Sequence, residues 1–416
     1  MQLKVTSRSR TGQGRVAPDH VVNPAPLFLL IVISTIAPIA VNMYLPAMAA
    51  MRVELDTTVS MLQLTLSAYL TATAIGQLMV GPLSDIYGRR PVLLASLVVF
   101  LVGTAISGFA QSIEVLILGR VIQGIGGAAA FALPRAVIRD LHGTATSASM
   151  IGYVTMGMAV APLVTPAVGG LLHEFFSWRL IFLVMGLFGL VGLVAAFVRL
   201  HETHAANAKA NVFKQWAVEV VTLLSMKEFW RLCLTLAAIC VAFFSFVAGG
   251  GFVADEVYGL SASQYGLYFI FVVLGYIIGN FVTGRYSPKI GVVTMIKLGN
   301  VVALMGVAVA LGLIVGGVGH PLALFGPMLI VGIGNGFALP NAVALCVSIR
   351  PDLAGSASGL AGAFQGGCGA LTSVVVGLMI DGGLWAGTPW PVLVPTAVGA
   401  AAALALAFTI NAKRFG

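Results

Sequence analysis

The sequence predicts an all-α integral membrane protein of twelve transmembrane helices, arranged as two pseudo-symmetric six-helix bundles. Three observations carry this. Of 416 residues, 59% are hydrophobic and only 9% charged, and the mean hydropathy is +1.02, so the chain cannot cover itself with a water-facing surface. Twelve apolar runs are each long enough to cross a bilayer, which takes about 20 residues. Short motifs also recur between the two halves at nearly constant offset.

Residues 1–23 are polar and basic and read as a cytoplasmic tail. The apolar run that follows is too long for a signal-peptide core and reads as the first span. The spans fall at 26–49, 60–82, 91–110, 113–137, 147–171, 178–198, 231–254, 263–283, 292–316, 322–347, 354–380 and 391–412. Six make a first bundle over 24–198 and six a second over 231–412, with a short tail at 413–416. The segment 199–230 holds Arg199, His201, Glu202, His204, Lys209, Lys214 and Lys227 and reads as a cytoplasmic linker. Within it, Val212 to Leu224 fits either a short amphipathic helix on the membrane surface or an ordinary solvated linker. The 50 glycines suit close helix packing in lipid.

The net charge of +8 is a matter of topology, not of nucleic-acid binding. With these spans, and with Arg135, Arg231 and Lys297 taken with the cytoplasmic ends of theirs, 19 of the 22 Lys and Arg residues fall on the side of both termini, Arg52 and Arg179 fall opposite, and Arg120 lies within a span. The 14 acids divide evenly between the sides. This positive-inside bias predicts cytoplasmic termini. Cys233, Cys240, Cys346 and Cys368 all lie in apolar segments, which argues against a disulfide framework, and no metal-ligand spacing appears.

The repeat is specific. Gly81, Ser84 and Gly88 recur as Gly284, Ser287 and Gly291, an offset of 203. Phe131-Ala132-Leu133-Pro134 recurs as Phe337-Ala338-Leu339-Pro340, and Ser147-Ala148-Ser149 as Ser356-Ala357-Ser358, offsets of 206 and 209. Each match holds the same place in its half. Six is an even number of spans, so both halves insert the same way up. Parallel repeats of this kind place a substrate site at mid-membrane between two rocking bundles.

Three stretches carry candidate chemistry. The loop after span two reads Gly81-Pro-Leu-Ser-Asp85-Ile-Tyr-Gly88-Arg89-Arg90, with glycines suited to a tight turn and arginines that hold it cytoplasmic. Asp85 fits a solvated loop acid, or a latch onto a helix N-terminus or an arginine. Span four opens Leu118-Gly119-Arg120-Val-Ile-Gln123-Gly124. A charge at mid-depth costs about 2.5–3.5 kcal/mol on insertion scales, so Arg120 either faces a cavity or partner, or snorkels to the interface. The glycines after it lack the ending of a phosphate loop and read as packing. Span five carries Pro162, Pro166, Gly169 and Gly170; its prolines free carbonyls and bend the helix.

The loop pattern, with its place between spans two and three, resembles the hallmark of the major facilitator superfamily, and the resemblance covers nearly the whole chain. It implies a cytoplasmic latch made by Gly81, Asp85, Gly88, Arg89 and Arg90. In this family the acid lies against the N-terminus of helix eleven, and the arginine pairs with an acid below helix four, here Asp140. The second copy of the loop has Pro288 where the first has Asp85, so one latch alone is charged. Arg120 resembles the arginine linked to proton coupling in drug–proton antiporters. Pro162, Pro166, Gly169 and Gly170 resemble the antiporter motif at the hinge of exporters, with Ala161-Pro162 where Gly-Pro is usual.

Span one, Ala40-Val-Asn42-Met-Tyr44-Leu-Pro46-Ala47, is similar to the bicyclomycin and chloramphenicol/florfenicol resistance exporters, as is Asp255-Glu-Val-Tyr258-Gly-Leu-Ser261. The resemblance implies proton-coupled efflux of small drug-like compounds through a bacterial inner membrane, by a monomer that needs no cofactor and is not an enzyme. The residue matching Asn42 is ordinarily an aspartate there. An amide keeps the shape of a protonated carboxylate but cannot titrate, and no Asp, Glu, His or Lys falls near the middle of any span. Three readings stay open. The chain couples through an end-of-helix acid such as Asp255 or Asp381. It is a facilitator or importer of a small metabolite, or favours neutral or anionic substrates that Arg120 attracts. Or Asn42 replaces a proton-site aspartate. The remaining candidates for the coupling and substrate cavity are Tyr44, Tyr69, Gln77, Gln123, Phe244, Asn335, Asn341 and Gln365, each equally suited to interhelical packing.

Overall fold

A computed structural model describes residues 27–141, 144–203, 212–350, 353–383, 385 and 387–410. The tails at 1–23 and 413–416 lie outside the described residues. Every described element is helical. The first half comprises α1 (Leu27–Asn42), α2 (Met48–Glu54), α3 (Val59–Tyr87), α4 (Arg89–Gly108), α5 (Ile113–Leu141), α6 (Thr144–Phe175) and α7 (Trp178–Arg199). A linker helix, α8 (Val212–Leu224), leads to the second half. That half comprises α9 (Lys227–Glu256), α10 (Ala262–Ile290), α11 (Val292–Val315), α12 (Leu322–Phe325), α13 (Met328–Ser348), α14 (Ala354–Asp381) and α15 (Trp390–Phe408). Eleven described segments are long and apolar enough to cross a membrane, and the 32-residue α6 is a twelfth long helix. The chain is a multi-pass membrane protein with two six-helix bundles.

Helix starts follow from local chemistry. Thr58 and Ser177 cap α3 and α7 by accepting from the amides of Met61 and Arg179. Ser261 and Gln264 form a capping box at the start of α10. Glycine then sets the closeness of the crossings, and does so alike in both halves. A Cβ on Gly126 of α5 would lie 2.2 Å from the Phe100 nitrogen of α4; one on Gly334 of α13 would lie 2.5 Å from the Ala303 nitrogen of α11. Backbone cannot step aside as a side chain can. Gly126→Leu is therefore expected to cut the yield of folded protein sharply, as overpacking of a tight crossing does, and fluorescence-detected size exclusion of a tagged protein measures it.

Two expectations need correction. The motif from Gly81 is not a loop: α3 stays helical through Tyr87, and the reversal is made by Gly88 alone, at φ 97°. Its amide donates to Ser84 O at 3.1 Å. The repeat copies this, with Gly291 at φ 91° and its amide on Ser287 O at 2.9 Å. Only glycine takes such a φ without strain, so one residue suffices for the turn. Span one is not continuous either. It breaks after Asn42, passes through a single 3₁₀ turn at Leu45–Ala47 containing Pro46, and resumes as α2. The linker segment Val212–Leu224 is a helix that is neither freely solvated nor detached. Its Leu223 is fully buried in the core of the second bundle, and the Glu219 carboxylate accepts from Ser356 Oγ at 2.7 Å, at the start of α14.

The described side-chain bonds between the two bundles concentrate toward the face away from the linker, here called the far face. Asp381, which ends α14, accepts from the Val59 and Ser60 amides at 2.9 and 2.6 Å, at the start of α3. Arg52 pairs with Glu256 at 2.6 Å, and Ser261 donates to Glu174 at 3.2 Å. Deeper in, Gln63 donates to Ala248 O at 2.5 Å and Ser67 to Ala370 O at 2.9 Å.

Candidate coupling and substrate site

Arg120 lies seven residues into α5, about 10 Å from its far-face end at 1.5 Å per residue. Its side chain is fully buried, so it does not snorkel to the interface. The guanidinium carbon lies 4.5 Å from the ring centroid of Tyr44 and 4.3 Å from that of Tyr69. Nη1 donates to Gln123 Oε1, and Gln123 Nε2 donates to Thr104 Oγ1 at 2.8 Å. The i, i+3 spacing puts Arg120 and Gln123 on one helix face. Tyr44 arrives from the broken first span, Tyr69 from α3 and Thr104 from α4. Two aromatic faces and an amide oxygen replace part of the hydration a cation loses on burial. The replacement is incomplete, because Nε and Nη2 have no hydrogen-bond partner among the described residues.

Asn42 ends α1 two residues before Tyr44 and is 6% exposed. Its Nδ2 donates to Pro38 O at 2.8 Å, a carbonyl four residues back, while Oδ1 is buried without a partner among the described residues. A buried amide with one bare acceptor marks a place where a donor fits. Below it, Gly169 of α6 lies so close to Met43 O that a Cβ would overlap it, and Gly170 faces the other bundle, where a Cβ would lie 2.4 Å from Ala262 O of α10. The prolines Pro162 and Pro166 lie within the unbroken α6. The two glycines thus bring the far end of that helix against α1 on one side and α10 on the other.

The other candidates do not join this cluster. Asn341 ties α13 to α10, accepting from Ser287 Oγ at 2.6 Å while donating to Phe337 O at 2.7 Å. Phe244 stacks edge-on to Phe243, with Gly369 of α14 beneath its ring. Gln77 of α3 touches α14 at Gly362, and Gln365 is partly buried on α14. Asn335 is 5% exposed, and its Nδ2 is without a partner among the described residues.

At the linker face, Arg89 pairs with Asp85 at 2.6 Å and with Asp140 at 3.0 Å. Both acids belong to the same bundle as the arginine. Arg90 donates to Phe197 O at 2.9 Å and lies over that ring. The sequence reading missed Glu202, whose carboxylate accepts from the Arg89 and Arg90 amides at 2.9 and 3.2 Å, a negative charge on the N-terminus of α4. It missed Glu219 at the start of α14 in the same way. The acid sits in each case at a helix start far away in sequence, which no local pattern reveals. Asp140→Asn is expected to cost about 1 kcal/mol or less of stability, as for a partly exposed ion pair, and a thermal unfolding midpoint measures it.

Arg135, which the charge count takes with the cytoplasmic end of span four, lies inside α5, which runs six residues further to Leu141, and its guanidinium carbon sits 4.6 Å from the Phe131 ring centroid.

A polytopic bundle of two similar halves, with polar side chains buried at depth, is the architecture of a membrane transporter. The sequence profile of the Major Facilitator Superfamily matches residues 30–373, and the chain belongs to that superfamily. It is 30% identical to the chloramphenicol resistance protein of Pseudomonas aeruginosa over 383 residues, 89% of this chain and 87% of the relative. It is 29% identical to a bicyclomycin resistance protein homolog of Haemophilus influenzae over 353 residues, 84% of this chain and 87% of the relative. In fold it matches the xylose transporter XylE of E. coli in a partially occluded inward-open conformation, with TM-score 0.71 at 14% identity over 93% of this chain and 98% of that one.

Proposed function

We infer that this chain is a secondary efflux transporter that moves small amphipathic, drug-like compounds out of a bacterial cell by alternating access, coupled to protons. On this reading it works as a monomer in the inner membrane, with both termini in the cytoplasm as the positive-inside bias requires. The observation that carries the reading is the asymmetry of the cross-bundle contacts. Asp381, Glu256 and Glu174 fasten the far face, whereas Arg89 spends its two acids within its own bundle. Bundles that rock about a central site need one face held by contacts that can be broken in turn. The names of the two relatives, resistance proteins for chloramphenicol and bicyclomycin, support export as the direction.

Coupling cannot run through Asn42, since an amide does not titrate. Asp381 is a better carrier. Protonation would remove charge from the carboxylate that holds two amides at the start of α3, and would thereby loosen the far face. Asp381→Asn is expected to leave drug binding in place while making transport insensitive to the proton gradient; flux in vesicles at two external pH values measures this.

The reading is tested by expressing the chain in a host stripped of its main drug exporters. Wild type is expected to raise the concentrations of chloramphenicol and bicyclomycin needed to stop growth. A wild-type chain that reaches the membrane yet protects against no compound of a broad amphipathic panel defeats the efflux reading.

A further inference from the structure

Helical side chains lean toward the N-terminus of their own helix. For α5 that end is the far face, so Arg135 leans inward, away from the linker face to which it would otherwise snorkel. Its contacts agree. Phe131, one turn toward the N-terminus, covers the guanidinium. Nη2 approaches Met158 Sδ of α6 at 4.0 Å. Tyr276 of α10, in the second bundle, lies within electrostatic reach. Met158 and Tyr276 both stand near the middle of their helices. The guanidinium therefore sits at mid-membrane where the two bundles face each other.

It has no counter-ion among the described residues. The described ion pairs are Arg52–Glu256, Arg89–Asp85, Arg89–Asp140 and Arg179–Glu54, and Arg135 joins none. A thioether is a weak acceptor and one ring a weak substitute for water. Arg120 differs, being enclosed by two rings and an amide and shut off from any cavity. Arg135 is only half-buried. It keeps the planar fork that binds a carboxylate in two-point fashion, beside an aromatic ring and a methionine that suit an apolar body.

We propose that Arg135 binds the acidic head group of an anionic amphipathic substrate, with Phe131, Met158 and Tyr276 around its apolar part. This rests on the reading of the chain as a transporter and names the substrate class for its central site. A carboxylate there supplies the charge that the protein does not, so occupancy removes the penalty of an unpaired cation in the membrane.

The test uses the full chain in lipid nanodiscs, with 1-naphthoate as the anion and 1-naphthamide as its neutral counterpart of like shape. Wild type is expected to bind the naphthoate about tenfold more tightly or better, a difference of about 1.4 kcal/mol. Arg135→Met is expected to abolish that preference while leaving naphthamide affinity unchanged, and Arg135→Lys to keep part of it. Should Arg135→Met fail to fold, Arg135→Gln takes its place, and the wild-type preference alone remains decisive. Equal affinities in wild type, or a preference that survives loss of the guanidinium, overturn the proposal. Export of neutral drugs in the cell assay without any preference for the anion sinks the proposal and leaves the efflux reading intact. A preference for the anion in a chain that protects against no drug does the reverse.

Discussion

Arg120→Met is expected to leave the protein at least as stable as wild type and to abolish transport. The two effects separate because the residue is held at a cost. A guanidinium at depth is unfavourable by about 2.5–3.5 kcal/mol on insertion scales. The tyrosine faces, worth up to about 2 kcal/mol each when desolvated, and the Gln123 amide offset this only in part. Nε and Nη2 remain bare among the described residues. Methionine fills much of the same volume without that penalty. Replacing buried ionic groups by apolar ones of similar size is often neutral or stabilising. A residue kept for packing would show the opposite pattern, with stability falling together with transport. Thermal unfolding in detergent and drug flux in vesicles, measured on the same preparation, check the separation. Arg120→Lys is expected to fall near Arg120→Met in transport, because an ammonium cannot lie flat between Tyr44 and Tyr69 while also reaching Gln123.

The second large effect is at Gly170. A Cβ there would lie 2.4 Å from Ala262 O and 2.8 Å from the Ser263 Cα, backbone atoms of the other bundle. The clash exists only when the far face is closed, so Gly170→Ala is expected to fold normally and to disfavour that state. Overpacking costs about 1–3 kcal/mol, which shifts a two-state population by about fivefold to 150-fold. Transport should fall accordingly. The reporter is Ala262→Cys, in a background with the four native cysteines replaced. Its labelling by a membrane-impermeant thiol reagent should rise with Gly170→Ala. Gly169→Ala is a different case. Its clash is with Met43 O of its own bundle and exists in every state, so it is expected to harm folding itself.

Much of the fold was legible because lipid imposes a simple rule. A span must be apolar and about 20 residues long, and backbone bonds must close within it. The twelve spans and the duplication followed from that rule and from glycine, proline and serine positions. Boundaries were less legible, and the errors have causes. The segment Gly81–Tyr87 looked like a loop because it is rich in turn residues, yet one glycine at positive φ is enough for the reversal. The charge count hid Arg135 in another way, by taking it with the cytoplasmic end of span four, although α5 runs six residues beyond it to Leu141.

The site was legible as a set of residues but not as an arrangement. Arg120, Gln123, Tyr44 and Tyr69 were all candidates, named singly and not as a cluster. That two tyrosines from separate helices sandwich the guanidinium depends on a break in the first span and on glycine-set crossings. No pattern along the chain records those. Conversely, Asn341 looked like a cavity residue and instead fastens α13 to α10. A polar side chain in an apolar run signals a partner, and sequence does not say whether that partner is protein or substrate.

The central claim is that this chain drives a drug across the membrane at the expense of the proton gradient although position 42 cannot titrate. Energised everted vesicles containing the chain test it, with labelled chloramphenicol and with and without an uncoupler, alongside Asn42→Asp. The account predicts accumulation above the external concentration by the protein with Asn42, abolished by the uncoupler. Equilibration without accumulation, restored to accumulation only by Asn42→Asp, would contradict it and make position 42 the missing proton site.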